Sequence, residues 1–466
     1  MSDPEQPASR RSSRDSSKST AGISPRMRTG LIVGAGALAF VLLGVGAVFA
    51  GEAVGKNSPI TAQAPDPGST TPTRAVPADQ VAPAAIPTCS IASLASSSSL
   101  MKFYGSVVQT MGGSPLYANN DTTGDRPASG LKVLTAAAAI SALGPNYQLQ
   151  TKVEDGVTPG TITLVGGGDP TLSHAPAGGS VYAGAPTMAT LATKTLAAYN
   201  TAHPGVPITQ VVLDSSEWNP ADNWESSVDS SLRTKGYLGL TTALQADGGR
   251  SNPKAWISPR SADPVTDAGK AFVTALGLDP STVTVSTGEA ENGAPTLASV
   301  SSQPMSVLVK QMLYNNDDTL AESLARVVSV KENLGGGSSS VGQAITTALG
   351  KYGQDTSDLS LLDGSGESDE SQVPPLFMSK FMALVMQKDN GLQYVAAGMP
   401  LVGKIYERSG ALSTAYTLSG YMTAADGTGE AFTFYAVGQG LTTTARNTLS
   451  SMATAVYKCG KNLTNN

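Results

Sequence analysis

The sequence predicts an α/β (α+β) fold, because helical and strand-like patterns are both frequent beyond residue 88. Residues 126–143 are rich in alanine and leucine and end before Gly144 and Pro145, which predicts a buried helix. Residues 151–296 contain short strand-like runs broken by Gly and Pro. The length of 466 residues and the 40 % apolar content are enough for a large core and for two or three domains.

Periodicity predicts the other elements in turn. Alternating segments at 413–424 and 431–437 predict an antiparallel hairpin, and residues 99–108 read as an amphipathic helix. The polar residues 315–318 are typical of one helix ending and the next beginning. Further strands are predicted at 161–165 and 210–214, and further helices at 306–313, 320–330, 374–387 and 442–458.

The first 88 residues predict a tail, an anchor and a spacer. Residues 1–29 are polar and are expected to be a disordered cytoplasmic tail. Residues 30–51 carry no charge and can cross a bilayer as a helix, and Arg26 and Arg28 place the remainder outside the cytoplasm. Seven prolines make residues 52–88 an extended linker. We expect a single-pass cell-membrane protein, with cleavage of a signal peptide and secretion as the alternative.

The amino-acid composition disfavours several classes of function. The net charge of −6 does not indicate a nucleic-acid-binding protein. Only two histidines and two cysteines occur, so a multi-ligand structural zinc site is not expected. We predict neither a metal nor a cofactor. Cys89 and Cys459 lie near the two ends of the globular region, and in an oxidising compartment they are predicted to form a disulfide.

The serine and lysine at the start of the alanine-rich helix are candidates for catalysis. Positions i and i+3 share a helix face, so the Lys132 amine is predicted to lie beside the Ser129 hydroxyl. A serine becomes a nucleophile when a base removes its proton, and a lysine can be that base. The alternative is an N-cap serine followed by a solvated lysine, since Ser99 with Lys102 has the same spacing.

Five short motifs follow one another along the chain: Pro-Ala-Ser-Gly-Leu-Lys at 127–132, Gly-Gly-Gly-Asp-Pro at 166–170, Ala-Asp-Gly-Gly-Arg at 246–250, Ala-Glu-Ser-Leu-Ala-Arg at 321–326 and Asp-Gly-Ser-Gly at 363–366. Their order resembles the penicillin-binding protein 4 family of D-alanyl-D-alanine carboxypeptidases and endopeptidases. The resemblance extends over nearly all of residues 89–466.

The resemblance implies a fold, a substrate and a set of partners. The fold would be a serine β-lactamase/transpeptidase-like domain of residues 89–150 and 297–466, with a five-stranded antiparallel sheet flanked by helices. Residues 151–296 would be the β-rich insertion of this family. The family cleaves peptidoglycan stem peptides through an acyl-enzyme and is acylated by penicillins, so stem peptides and β-lactams are the expected ligands.

This family has three active-site motifs, Ser-x-x-Lys, Ser-x-Asn and Lys-Thr-Gly. The first is intact at Ser129 and Lys132. By position, Asn316 and Asp318 replace the serine and the asparagine of the second motif. An amide relays a proton poorly, and an added carboxylate would favour a protonated lysine, so a loss of ~10²–10⁴ in rate is typical of such changes.

The third motif falls on Arg408, Ser409 and Gly410. Arg408 retains a positive charge for a substrate carboxylate, and Ser409 retains a hydroxyl. Backbone N–H groups of Ser129 and Ala411 would form the oxyanion hole, which needs no particular side chain.

Two functions are compatible with these motifs, and a third is disfavoured. The first is a serine-type D-Ala-D-Ala carboxypeptidase or endopeptidase with Ser129 as nucleophile and Lys132 as base. The second is a catalytically impaired relative that binds peptidoglycan or a cell-wall partner. A Ser-His-Asp hydrolase is disfavoured, because it would need His174 or His203 beside a nucleophile and the sequence has no Gly-x-Ser-x-Gly motif.

Overall fold

The computed structural model describes residues 89–113 and 115–465. The predicted tail, anchor and linker lie outside these residues. No helix in the described part of the chain is long and apolar enough to cross a membrane. The strands are Cys89–Ser90 (β1), Lys102–Gln109 (β2), Pro115–Asn119 (β3), Gln150–Asp155 (β4), Thr161–Gly166 (β5), Gln210–Asp214 (β6), Thr284–Thr287 (β7), Thr296–Ser301 (β8), Leu401–Val402 (β9), Ile405–Ala411 (β10), Ala415–Thr423 (β11), Gly429–Val437 (β12) and Leu463–Thr464 (β13).

The helices predicted at 306–313, 320–330, 374–387 and 442–458 are present within two residues of their predicted bounds, and the helices at 338–350 and 392–396 were not predicted. They are Ala92–Ala95 (α1), Leu131–Leu143 (α2), Met188–Ala202 (α3), Ser231–Lys235 (α4), Pro264–Ala275 (α5), Met305–Asn315 (α6), Asp318–Lys331 (α7), Ser338–Gly350 (α8), Pro375–Gln387 (α9), Leu392–Ala396 (α10) and Thr443–Cys459 (α11). A short 3₁₀ turn, Ala128–Gly130, directly precedes α2.

One antiparallel sheet is formed by the C-terminal strands. Its order is β12-β11-β10-β9, and the predicted hairpin is confirmed by the pairing of Ala415 with Val437 at one end and Thr423 with Gly429 at the other. The pair β2-β3 lies beside β12, where the Thr110 amide donates to the Gly429 carbonyl over 3.0 Å.

Helices cover both faces of this sheet. On one face, α11 packs Leu449 and Met452 into an apolar cluster with Phe432 and Phe434 of β12. A separate cluster contains the buried residues of α2, α6, α7, α8 and α9 together with Tyr421 of β11. Helix α2 is therefore central, and all of its first ten residues are buried, which explains its run of small alanines.

A second sheet is formed by strands from residues 150–301. Its order is β7-β6-β5-β4-β8, in which β4 is antiparallel to β5 and β8, whereas β5, β6 and β7 are parallel. Helices α3 and α5 pack on it and share an apolar cluster of their own with its strands. This segment contains more helix than the strand-like runs in the sequence indicated.

The predicted disulfide is confirmed. Cys89 and Cys459 are bonded, with their Cα atoms 5.5 Å apart. Strand β1 also pairs in parallel with β13 beyond the disulfide. The two ends of the folded region are thus connected by a disulfide and by strand pairing.

The prediction of a helix at 99–108 is wrong. Residues 102–109 form β2, in which six consecutive residues are buried. A strand buried on both faces has no polar alternation, so periodicity alone cannot distinguish it from a short buried helix. The aromatic and β-branched residues Phe103, Tyr104, Val107 and Val108 favour the strand.

Candidate active site

The first motif is held at the N-terminal end of α2. Ser129 and Lys132 are both buried, and Lys132 Nζ lies 3.1 Å from Ser129 Oγ. Nζ also donates to the Ser365 carbonyl over 2.8 Å. The predicted nucleophile and base are therefore within hydrogen-bond distance, which excludes the alternative of a solvated lysine.

Two glycines allow the chain to approach the serine turn closely. Ala128 has a φ of +45°, a conformation that L residues rarely adopt. A Cβ at Gly410 would lie 2.6 Å from Ala128 Cβ and 2.7 Å from Ser129 N, and a side chain at Gly366 would collide with the Ala128 carbonyl. The third motif and the turn at 363–366 thus hold the serine turn in place through backbone contact.

The second motif lies between α6 and α7, as its polar sequence predicted. Asn316 has a φ of +57° and ends α6, and the Asp317 side chain caps α7 by accepting from the Leu320 amide. Asp318 is the first residue of α7, and its Oδ1 lies 2.5 Å from Lys132 Nζ. Burial raises the pKa of Asp318, although the Lys132 charge opposes this shift.

Residues from several parts of the chain line a cavity of about 340 Å³ at this place. The lining residues are Ser129, Leu232, Tyr237, Asn316, Asp318, Glu367, Ser409, Gly410, Ala411 and Arg446. A larger cavity of about 420 Å³, beside Asp214 and Pro264, does not contain Ser129. Ser129 therefore identifies the smaller cavity as the candidate active site, with Lys132 buried within hydrogen-bond distance of it.

The structure does not bring every predicted residue to the cavity. Ser409, Gly410 and Ala411 line it, but Arg408 does not. The Arg408 guanidinium is buried and donates to the Leu313 carbonyl at the end of α6. Residues alternate between the two faces of a strand, so Arg408 points away from the side that Ser409 presents.

Residues 88–255 and 240–457 match the D-Ala-D-Ala carboxypeptidase 3 (S13) family. The chain belongs to this family. It is 31 % identical to a carboxypeptidase of Mycobacterium tuberculosis over 93 % of this chain and 98 % of that protein. It is also 31 % identical to carboxypeptidase DacB of Mycolicibacterium smegmatis, over the same shares. The predicted serine-type carboxypeptidase or endopeptidase function is the one that the family and these relatives support.

Solved structures confirm the fold of this S13 chain. Penicillin-binding protein 4 of Haemophilus influenzae superposes with a TM-score of 0.64 at 18 % identity, covering 79 % of this chain and 99 % of that one. The same protein complexed with a β-lactam superposes with a TM-score of 0.56, covering 77 % of this chain and 96 % of that one. The mixed α/β, transpeptidase-like fold implied by the sequence motifs is therefore present.

A buried carboxylate supports the reactive pair of this S13 chain from behind. Glu322 of α7 accepts from the backbone amides of Gly364 and Ser365 over 2.9 and 2.7 Å. It thereby holds the backbone of Ser365, the residue whose carbonyl accepts from Lys132. Burial, together with the nearby charge of Asp363, raises the pKa of Glu322 to about 7.

The sequence motifs did not identify four residues that line the cavity. Leu232 and Tyr237 come from residues 151–296, Glu367 follows the turn at 363–366, and Arg446 is in the first turn of α11. Burial and the charge of Asp318 raise the pKa of Glu367 well above its usual value. Only Glu367 had a sequence signal, because it directly follows the Asp-Gly-Ser-Gly motif.

Proposed function

We propose that this protein is a serine-type D-Ala-D-Ala carboxypeptidase or endopeptidase that processes peptidoglycan stem peptides through an acyl-enzyme on Ser129. The distance of 3.1 Å between Ser129 Oγ and Lys132 Nζ, at a cavity, is the observation that carries the proposal. Membership of the S13 family supports the substrate class.

The reaction starts when Lys132 accepts the Ser129 proton. Oγ then bonds to the carbonyl carbon of the penultimate D-alanine, and the oxyanion is stabilised by the Ser129 and Ala411 N–H groups. The carbon–nitrogen bond breaks, and the leaving amine receives the proton from Lys132. Water subsequently hydrolyses the ester and regenerates Ser129.

The second motif slows this reaction in our proposal. The Asp318 carboxylate stabilises the ammonium form of Lys132, which cannot accept a proton. The basic amine forms when Asp318 takes the shared proton, and the burial that raises the pKa of Asp318 makes this transfer less unfavourable. Asn316 supplies no hydroxyl for proton relay, so a rate reduction of about 10²–10⁴ is expected.

The ion pair between Lys132 and Asp318 also favours a second candidate function. If the ammonium form persisted, the cleft would bind stem peptides or a cell-wall partner without cleaving them. The cavity and its wall from residues 151–296 would then serve recognition alone.

We further propose a location and a domain organisation. The uncharged residues 30–51 would anchor the chain in the membrane or be cleaved as a signal, and the folded part would act outside the cytoplasm. The disulfide supports an oxidising compartment. Residues 151–296 would form an inserted domain within a transpeptidase-like domain of residues 89–150 and 297–466. The separate apolar cluster of this segment supports the division, and through β8 it continues to Val300.

Covalent labelling separates the two candidate functions. Full-length protein is incubated with a fluorescent penicillin, and the label is measured after denaturing electrophoresis. If the protein is catalytic, the wild type is expected to be labelled slowly, Ser129→Ala not at all, and Lys132→Ala much less than the wild type. Absence of label in the wild type at high protein concentration, together with measurable binding of a stem peptide, would support the binding function instead.

A further inference from the structure

The candidate active site has one cationic residue that the family motifs do not specify. Among the described residues that line the cavity around Ser129, Arg446 is the only lysine or arginine. A carboxypeptidase substrate ends in a free carboxylate, and a carboxylate needs a cationic or multiple N–H partner when it leaves water. The position of this charge therefore bears on how the substrate is held.

Arg408 is poorly placed to meet this need. Its guanidinium donates to the Leu313 carbonyl, and the side chain is only 8 % exposed. Burial lowers the pKa of Arg408, against the nearby negative charges of Asp318 and Glu407. To reach a ligand, Arg408 would have to leave this carbonyl unsatisfied in the protein interior.

Arg446 lies at the oxyanion end of the cleft, where its side chain is exposed to solvent. Its guanidinium carbon lies 5.0 Å from the centre of the Tyr416 ring, which orients the side chain. Tyr416 of β11 pairs with Ala411 of β10, the residue whose N–H is predicted to bind the oxyanion. Within the described residues, Arg446 forms no ion pair, so its charge is available to a ligand.

The acidic residues of the cavity increase the need for a cation that attracts the substrate carboxylate. Asp318 and Glu367 face the same cavity and would repel a substrate carboxylate when ionised. Burial raises the pKa of both residues, and Asp318 is also paired with Lys132, which limits the repulsion. Arg446 would then supply the local attraction that Arg408 does not.

We propose that Arg446 binds the C-terminal carboxylate of the substrate in place of Arg408. This inference rests on the proposed function only in its choice of ligand, a peptide that ends in D-Ala-D-Ala. A guanidinium can donate two parallel hydrogen bonds to a carboxylate, so Arg446 would discriminate a free C-terminus from an amidated one. Its role is recognition of the substrate and not proton transfer.

Equilibrium binding tests this proposal without requiring turnover. Full-length Ser129→Ala protein is titrated by calorimetry with an acylated peptide ending in D-Ala-D-Ala and with the same peptide as its C-terminal amide. The acid is expected to bind roughly 10- to 100-fold more tightly than the amide. Arg446→Gln should abolish this preference, while Arg446→Lys should restore part of it and Arg408→Gln should retain it.

The outcomes separate this inference from the proposed catalysis. A preference for the acid that survives Arg446→Gln, or that disappears in Arg408→Gln, would overturn the role of Arg446. Failure of both peptides to bind would overturn it as well. Failure of the proposed catalysis would give a different result: wild-type protein would bind the acid but show no penicillin label that depends on Ser129.

Discussion

Lys132 Nζ and Asp318 Oδ1 are 2.5 Å apart, and both side chains are almost inaccessible to solvent. The second motif of this chain thus places a carboxylate directly against the amine that is proposed to activate Ser129. Opposite charges in a site of low dielectric stabilise each other strongly. In the proposed mechanism the main obstacle to catalysis is therefore this ion pair, which one substitution would remove.

Asp318→Asn is expected to increase the rate of acylation by a penicillin by about 10- to 100-fold at pH 7. The amide removes the negative charge that stabilises the lysine ammonium, so more of Lys132 is available as a base. Stopped time courses of fluorescent labelling at pH 7 measure this rate.

The double variant Asn316→Ser/Asp318→Asn provides the matched comparison, because it recreates the usual Ser-Asp-Asn sequence. It should label faster than Asp318→Asn alone, since the hydroxyl restores proton relay. Asn316→Ser alone should have a smaller effect while the ion pair persists. Equal rates for wild type and both Asp318→Asn variants would exclude the ion pair as the limiting feature.

The sequence predicted the parts of this site that depend on local geometry. Ser129 and Lys132 meet because they are one helical turn apart, and Asn316 and Asp317 cap two helices because of their residue types. The rotation of Arg408 into the interior could not be predicted, because it depends on the free carbonyl at the end of α6.

A second buried pair connects residues 151–296 to the second motif. Arg250 donates to Asp317 over 3.0 Å, and both side chains are about 1 % exposed. Burial alone would raise the pKa of Asp317, but the charges of Arg250 and Arg260 outweigh it and hold the pKa below its usual value. The stabilisation is present above the unfolded pKa of Asp317 and is lost as the pH falls through the folded value.

Arg250→Met is therefore expected to lower the free energy of unfolding by about 3–5 kcal/mol at pH 7, because it leaves the Asp317 charge buried and unpaired. The loss should be smaller at pH 3. Arg250→Met/Asp317→Asn should recover part of the stability, since it removes that charge and retains a helix cap. Denaturant unfolding at both pH values measures these differences.

The exposed pair of Lys351 and Glu332, 2.7 Å apart, supplies the control. Lys351→Met should change the free energy of unfolding by no more than about 1 kcal/mol. If Arg250→Met had as small an effect, the buried pair would have no structural importance for the second motif.

The disulfide between the two ends of the folded region should increase the free energy of unfolding. Cys89 and Cys459 are separated by 370 residues, so their bond restricts the unfolded chain strongly. The free energy of unfolding of the Cys89→Ser/Cys459→Ser variant is expected to be about 2–5 kcal/mol lower than that of the oxidised wild type. A reducing agent should destabilise the wild type and leave the double variant unchanged; equal sensitivity of both would contradict this prediction.

The overall fold was more predictable from sequence in its C-terminal half than in residues 89–301. Two of the helices predicted there have clear side-chain caps, Asp317 for α7 and Thr442 for α11. Strand β2 lacks such signals because it is buried on both faces. The order of the second sheet depends on contacts between distant segments, such as β4 with β8, that no local pattern encodes.

Glu430 of β12 predicts a dependence of stability on pH that is separate from the active site. Its side chain is fully buried, and neither carboxylate oxygen has a hydrogen-bond partner among the described residues. Burial, with a contribution from the charge of Asp426, raises the pKa of Glu430 from 4.5 to about 8. The folded protein therefore retains a proton between these values that the unfolded chain releases.

This difference fixes the sign of the effect. The contribution of Glu430 is most favourable below the unfolded pKa of 4.5, decreases as the pH rises, and becomes constant above about 8. The decrease is at most about 1.4 kcal/mol for each pH unit. Glu430→Gln does not titrate, so its stability relative to the wild type should increase steadily from pH 5 to pH 8 in denaturant unfolding. The exposed Glu291→Gln variant should show no such trend, and a constant difference between Glu430→Gln and the wild type would mean that Glu430 is ionised in the folded protein.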